Sequence, residues 1–413
     1  MTKISKLLFF VFIATISTAH AQFKIDAEIR PRFEYRHGFS DLIPDNADPA
    51  AFISQRTRLN TSYLTNNLNF YISLQDVRVW GDVPQLNISD DSGLTVHQAF
   101  AEFLLNPDIS VKLGRQEVSY DDQRIFGSVN WAQQARSHDM VLFKYRKNAF
   151  KLDVGMALNQ DKEANTGTIL TTPKTYKAMQ FAWLHKDWTN FSGSLLFLNN
   201  GKQFKNQTKY SQTIGTHLIY KETKFAANAN LYYQFGKDAS LADNDLNAYL
   251  LGLEGSYKVT NNTLLALGIE LQSGNENGAP SNGKNKAFSP FYGTNHKFNG
   301  FMDYFYVGNH ANNVGLLDIY AKANFKLNAK SSLTAFVHQF SAAEDINNTV
   351  SKNLGTELDL VYGYNLSKDI KINAGYSQMF ASKGMEVLKG NSDGNTNNWG
   401  WLMVTIKPTL FSK

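Results

Sequence analysis

The chain has 413 residues, of which 43% are hydrophobic and 13% aromatic, and it contains no cysteine. A length of this order suits one large barrel or two to three soluble domains. The absence of cysteine excludes thiol-based catalysis and a disulfide-stabilised module. The formal net charge of +5 is too small to indicate nucleic acid or any other partner by itself.

The first 21 residues predict a secretory signal peptide. Lys3 and Lys6 form a basic start, residues 7–14 are apolar, and residues 19–21 read Ala-His-Ala, an A-x-A cleavage site. The apolar run is shorter than the roughly 20 residues that a membrane helix needs. We therefore expect the mature protein to be a single domain over residues 22–413.

Residues 23–36 show the pattern that organises the rest of the chain. Odd positions are apolar except Pro31, and every even position is charged: Lys24, Asp26, Glu28, Arg30, Arg32, Glu34 and Arg36. Successive side chains of a strand point to opposite faces, so this segment predicts a strand with one apolar and one ionised face. The water-filled lumen of a membrane barrel accommodates such an ionised face, whereas an ordinary soluble sandwich does not.

The segments that follow alternate in the same way, and short and long connections separate them in turn. The predicted strands are residues 23–36, 51–64, 68–80, 94–105, 109–118, 139–146, 149–159, 176–186, 190–199, 210–221, 224–235, 245–258, 263–273, 315–327, 331–341, 355–366, 369–380 and 399–410. This rhythm predicts an all-β fold, an 18-stranded antiparallel transmembrane β-barrel of the outer-membrane type, with short periplasmic turns and long extracellular loops. We expect an integral protein of a Gram-negative outer membrane, in contact with its lipid.

The connection over residues 274–314 is rich in aromatic residues and longer than an unstructured loop usually is. Either it folds over or into the barrel mouth as a plug or gate, or it is a simple surface loop.

Strand parity predicts which charged side chains face the lumen. Basic candidates are Arg30, Arg32, Arg36, Arg56, Arg58, Lys112, Lys144, Arg146 and Lys322, and acidic candidates are Glu102, Glu270, Asp318, Glu357 and Asp359. A change of parity near Gln75 suggests a β-bulge, beyond which Asp76 and Arg78 would also face inward. Two interpretations remain open: these groups pair to form a polar wall, or an excess of guanidinium groups lines a path for anions.

Catalytic motifs are missing from the sequence. No G-x-S-x-G, H-E-x-x-H or P-loop pattern occurs. Glu357 and Asp359 could serve a hydrolase acting on lipid or sugar, but a polar wall explains them as well. We expect neither an enzyme nor a metal or cofactor.

Three stretches, residues 74–82, 113–139 and 291–305, resemble the alginate-export family of outer-membrane barrels, in a form similar to that of Bacteroidetes. The second stretch is the most specific, and its matching residues are Gly114, Arg124, Gly127, Trp131 and Arg136. The resemblance implies a monomeric barrel with an electropositive constriction, through which the uronic-acid polymer alginate leaves the periplasm without hydrolysis. It also implies loops that gate the pore and periplasmic synthesis or secretion components as partners.

The resemblance places Arg115, Arg124 and Arg136 near the constriction. Strict alternation, however, turns Arg115 toward lipid, where a charge costs about 2–4 kcal/mol at the midplane. We therefore expect either a local bulge there or a position above the membrane. The predicted function is passive export of an anionic, alginate-like polysaccharide, and the alternative is a general or anion- and oligosaccharide-selective porin for uptake. The sequence does not determine the direction of transport.

Overall fold

The computed structural model describes residues 21–86, 90, 93–173, 175–305, 313–392 and 394–413. The predicted signal peptide, apart from residue 21, lies outside the described residues. The strands are β1 (Gln22–His37), β2 (Ala50–Leu64), β3 (Leu68–Val79), β4 (Thr95–Asn106), β5 (Ile109–Gln116), β6 (His138–Lys147), β7 (Phe150–Leu158), β8 (Ala178–Asp187), β9 (Phe191–Phe204), β10 (Gln207–Lys221), β11 (Phe225–Lys237), β12 (Asp245–Lys258), β13 (Thr263–Gln272), β14 (Lys284–Asn285), β15 (Leu316–Lys326), β16 (Ser331–Ser341), β17 (Asn353–Asn365), β18 (Ile370–Ala381), β19 (Asn397–Ile406) and β20 (Thr409–Ser412).

Eighteen of these strands form one closed antiparallel wall. The two others are β14, a two-residue segment inside a loop, and β20, which continues β19 beyond Pro408. Closure is made by β1, which pairs with β2 on one side and with β19 on the other, from Ile29 opposite Ile406 to His37 opposite Asn398. The predicted strand number and fold class are confirmed.

The alternation of apolar and charged side chains that the sequence predicts for residues 23–36 is present in β1. Ile29, Phe33 and Tyr35 are exposed on the outer face at 43, 42 and 38%, whereas Arg30 and Arg32 are buried inside. Exposed leucines continue the apolar exterior on β12 and β13. This outer surface faces lipid, because a membrane barrel turns its apolar face outward.

Two local predictions are wrong. First, residues 200–209 are not a loop: β9 and β10 extend toward each other and are joined by Lys205 and Asn206, with Lys205 at φ +52°. Polar residues occupy both faces of this hairpin, so its alternation is hidden in the sequence.

Second, β3 keeps its parity where a bulge was expected. Its pairing with β2 is unbroken, and the register shift lies between Ser73 and Leu74 in the pairing with β4. Asp76 and Arg78 therefore lie on the outer face and not in the lumen. Arg78 donates to Asp76 at 2.6 Å and to Asp90 at 2.7 Å, which neutralises it there.

The barrel interior is partly filled by its own loops. Val118, Ile125 and Phe126 from residues 117–137 pack against wall residues such as Met179 and Leu198. A second cluster joins the later loop to the opposite wall, through Met302, Tyr304, Phe340, Trp399 and Trp401. The one α-helix of the described residues, α1 (Lys383–Lys389), packs beside that cluster. None of the helices described is long and apolar enough to cross a membrane.

Candidate functional site

Two loop segments inside the barrel form the candidate site. We call residues 117–137 inner loop 1 and residues 288–305 inner loop 2. They meet in a parallel bridge between Phe126 and Tyr292. Gly127 lies at this junction, and a Cβ there would collide with the side chain of Thr294.

Three arginines of β1 and β2 hold inner loop 1, two of them through its backbone carbonyls. Arg30 Nη1 donates to the Asn130 carbonyl at 2.8 Å, and Arg32 Nη1 donates to the Trp131 carbonyl at 2.7 Å. Arg56 Nη1 donates to the Asn130 side-chain oxygen at 2.9 Å. The three residues are only 5, 5 and 1% exposed. These predicted lumen residues do face inward, but they are committed to a loop and do not line open water.

We call Arg30, Arg32 and Arg56 the arginine clamp. Neighbouring polar groups pair with these three side chains. Gln133 accepts from Arg30 Nη2 at 2.9 Å and donates to the Ser54 carbonyl at 3.2 Å. Glu28 pairs with Arg56, and Glu34 pairs with Arg32 at 2.9 Å. A buried guanidinium needs such partners, because an unpaired charge out of water is strongly unfavourable.

Arg124 ties the two inner loops to the wall. It is 1% exposed, and its Nη2 donates to Glu270 on β13 at 2.5 Å and to Asn299 at 3.0 Å. Its Nη1 donates to Asn295 at 3.1 Å, and its guanidinium lies 4.5 Å from the ring centroid of Phe298. One side chain of inner loop 1 thus contacts both inner loop 2 and the wall.

The predicted acidic residues of β15 and β17 hold inner loop 2. Glu357 accepts from the Met302 N–H at 2.8 Å, and Asp318 accepts from Asn299 Nδ2 at 3.2 Å and from His338 at 3.0 Å. Asp359, which is fully buried, accepts from the Ser377 hydroxyl.

A second group of predicted charges lies nearer the periplasmic turns. Lys144 pairs with Glu102 at 2.6 Å, and the Lys112 amine lies 3.8 Å from the ring centroid of Phe100. Arg146 pairs with Asp153. These side chains are more exposed than the arginine clamp, at 20 to 36% for the paired Glu102, Lys144 and Arg146.

The remaining predicted residues are distributed around the loops. Arg36 pairs with Glu34 at 2.8 Å, and Arg58 donates to Gln75 at 2.9 Å. Arg136 donates to the Gly293 carbonyl at 3.1 Å, which adds a further link between the inner loops.

Arg115 does not belong to the lumen, so its predicted place near a constriction is wrong. Its side chain is 42% exposed on the outer face and pairs with Asp139 at 2.8 Å. The β4–β5 register shift lies elsewhere, between Leu104 and Asn106, so no bulge turns Arg115 inward. Arg115 instead lies one residue from the end of β5, next to the long connection.

A cavity of about 630 Å³ lies below the inner loops, toward the periplasmic turns. Lys297 and Lys322 contribute positive charge to its lining, and Asp121, Asp122 and Glu254 contribute negative charge. Burial raises the pKa of the Asp121 carboxyl, although Ser194 donates to it. Burial also lowers the pKa of the Lys297 amine. Asp121 belongs to inner loop 1 and Lys297 to inner loop 2.

Several of these contacts had no signal in the sequence. Asn130, Gln133, Asn295 and Asn299 are ordinary loop amides until the fold brings arginines to them. Among the residues described, no group of three or more metal-ligating side chains could hold a metal ion.

Residues 21–386 match the family model described as Alginate export. The chain belongs to the alginate export family. No curated protein is similar enough in sequence to match the chain. It is an integral outer-membrane channel protein, as the family and the barrel together establish.

Solved structures share this family member's fold at low identity. Pseudomonas aeruginosa OpdQ is 13% identical with a TM-score of 0.61, and the alignment covers 94% of this chain and 98% of that one. Acinetobacter baumannii OccAB4 is 12% identical with a TM-score of 0.64, over 94% and 98%. P. aeruginosa OpdK, solved with vanillate, is 12% identical with a TM-score of 0.58, over 94% and 99%.

Proposed function

We propose that this channel conducts an anionic, alginate-like polysaccharide outward, passively and without hydrolysis. The family match over residues 21–386 carries the proposal. Lysines in the periplasmic half of the lumen support it, because Lys112 and Lys322 lie over aromatic rings and offer point charges that bind a carboxylate weakly. Weak, repeated binding is what a sliding polymer needs. The proposal includes a monomeric barrel and a periplasmic synthesis or secretion component that supplies the polymer.

A second candidate is uptake of small carboxylated solutes. The cavity of about 630 Å³ falls within the roughly 300–1,000 Å³ that is usual for small-molecule sites. OpdK, which shares the fold, was solved with vanillate, an aromatic carboxylate. With the inner loops in place, a small solute fits the space below them, whereas a polymer strand requires the loops to move.

Ion currents through the purified barrel in planar bilayers distinguish these functions. For polymer export we expect an anion preference and blockade by oligouronates that strengthens with chain length, with little blockade by vanillate. Uptake predicts blockade by monomeric carboxylates that does not grow with length. An unselective current indifferent to both ligands would contradict both proposals.

The lumen variants for this test are Lys112→Gln and Lys322→Gln, because neither residue belongs to the arginine clamp. We expect both to reduce the anion preference. Arg56→Ala is unsuitable as a selectivity test, since it would release inner loop 1. Lys224→Gln, in the β10–β11 turn, removes the same charge outside the lumen and serves as the control.

A further inference from the structure

The inner face of the β9–β10 hairpin carries two lysines directly opposite each other. Lys202 and Lys209 are register partners. Both face inward, because Asn200 on β9 and Ser211 on β10, each two residues away, are buried inside the barrel. Like charges at such a cross-strand pair, with Cβ atoms roughly 5 Å apart, repel each other unless an anion lies near them.

The two lysines differ in their partners. Lys209 pairs with Asp243 at 2.6 Å. Lys202 pairs with no carboxylate of the described residues, and its amine lies 5.5 Å from the ring centroid of Phe291. The Lys202 side chain is exposed to the lumen, where a ligand can reach it.

Phe291 has an unusual backbone conformation. Its φ is +37°, in a region that a bulky side chain rarely adopts. Its ring lies 5.9 Å from that of Tyr292, at an interplanar angle of 26°. Such strain persists only where the surrounding structure imposes it, and it concentrates at functional sites. Here it presents an aromatic face beside a lysine.

Lys202, Lys209 and Phe291 line a cavity of about 430 Å³ on the extracellular side of the inner loops. Lys237, which pairs with Asp245 at 2.7 Å, adds a third amine to its lining, Asp238 adds one carboxylate, and Gln272 and Asn285 add amide groups. A cation, an aromatic face and amides together are the groups that recognise a sugar ring with a carboxylate.

We propose that this extracellular cavity binds one carboxylated sugar unit, with the Lys202 amine at the carboxylate and the Phe291 ring against the apolar face of the sugar. This inference rests on the proposed function and adds a site at the outer end of the path. A lysine holds the carboxylate as a point charge, which permits release, as conduction requires.

The test is blockade of the current by a uronate trisaccharide added to one side of the membrane at a time, with barrels inserted in one orientation. Lys202→Gln should weaken blockade from the extracellular side about tenfold, the effect expected for one charge-assisted contact. Phe291→Gly should also weaken it, by up to about tenfold, because it removes one aromatic contact. Both should leave blockade from the periplasmic side unchanged. Glycine adopts positive φ without strain, so Phe291→Gly keeps the backbone while removing the ring.

Lys352→Gln is the matched control, because it removes one charge from the β16–β17 connection, on a distant part of the same end of the barrel. If the wild type is blocked from both sides and neither variant weakens the extracellular blockade, the site is wrong and the proposed function stands. If oligouronates fail to block the wild type from either side, the proposed function itself is wrong. Equal weakening by Lys352→Gln would show a general charge effect and would also overturn the site.

Discussion

Replacement of Arg124 by methionine should loosen both inner loops where they contact β13. The change keeps much of the side-chain length and removes the donors to Glu270, Asn295 and Asn299. Arg124 and Glu270 are buried, with side chains 1% and 8% exposed, so solvent screening weakens their interaction little.

The loss of docking free energy follows from the removal of one partner of a buried ion pair, which costs about 3–5 kcal/mol. Glu270 keeps donors from Gln272 and Asn299, both at 3.0 Å, so we expect the lower end of that range. A loss of about 3 kcal/mol raises the population of undocked loops by roughly a hundredfold, at 1.4 kcal/mol per factor of ten.

Amide hydrogen exchange of inner loop 1 and single-channel recording measure this change. We expect exchange in residues 117–137 to accelerate by about two orders of magnitude while wall amides stay protected, and we expect larger, noisier currents. In the double variant Arg124→Met with Glu270→Met, protection should largely return, since a buried pair is often replaced by apolar groups without loss. Unchanged exchange and conductance in Arg124→Met would refute the claim that this residue holds the loops.

Three further predictions test the wall, a glycine and a loop. Leu267→Arg, at a position 71% exposed on the outer face, should destabilise the barrel by about 2–4 kcal/mol when folding into lipid vesicles is titrated with urea, whereas an inward arginine should not. Gly114→Ala should cost about 1–3 kcal/mol in the same titration, because Gly114 has φ +112° and a Cβ would meet the Ala99 carbonyl; Gly400→Ala, with open space around it, should cost less. Hydrogen bonds from Thr171 and its neighbour lower the pKa of Asp161 in the β7–β8 connection, so they stabilise this connection above the ordinary pKa near 3.8. That stability is lost as the pH falls below 3.8, and hydrogen exchange of the Thr171 amide should then accelerate. Asp161→Asn should abolish the pH dependence of this exchange.

The direction of the site's strand side chains could be predicted from the sequence, but their contacts with residues distant in sequence could not. Strand parity correctly predicted that Arg30, Arg32 and Arg56 face inward, because the direction of a strand side chain depends only on its position in the strand. It could not reveal that Arg30 and Arg32 donate to backbone carbonyls about 100 residues away. The prediction was wrong at Arg78, where we expected a bulge to reverse the parity and the unbroken β2–β3 pairing preserves it.

The sequence by itself determined the barrel: 18 two-faced strands, an apolar exterior and a charged interior, since a period of two is a local property of the chain. Only the tertiary structure decided what those charges do. Whether an inward arginine meets water, an acid or a loop depends on how long connections fold back, and that follows from packing between segments distant in sequence. In this channel residues 117–137 and 288–305 fold into the lumen, so the arginines that we expected along an anion path bind inner loop 1 instead. Lysines such as Lys112 and Lys202 lie nearer the open space.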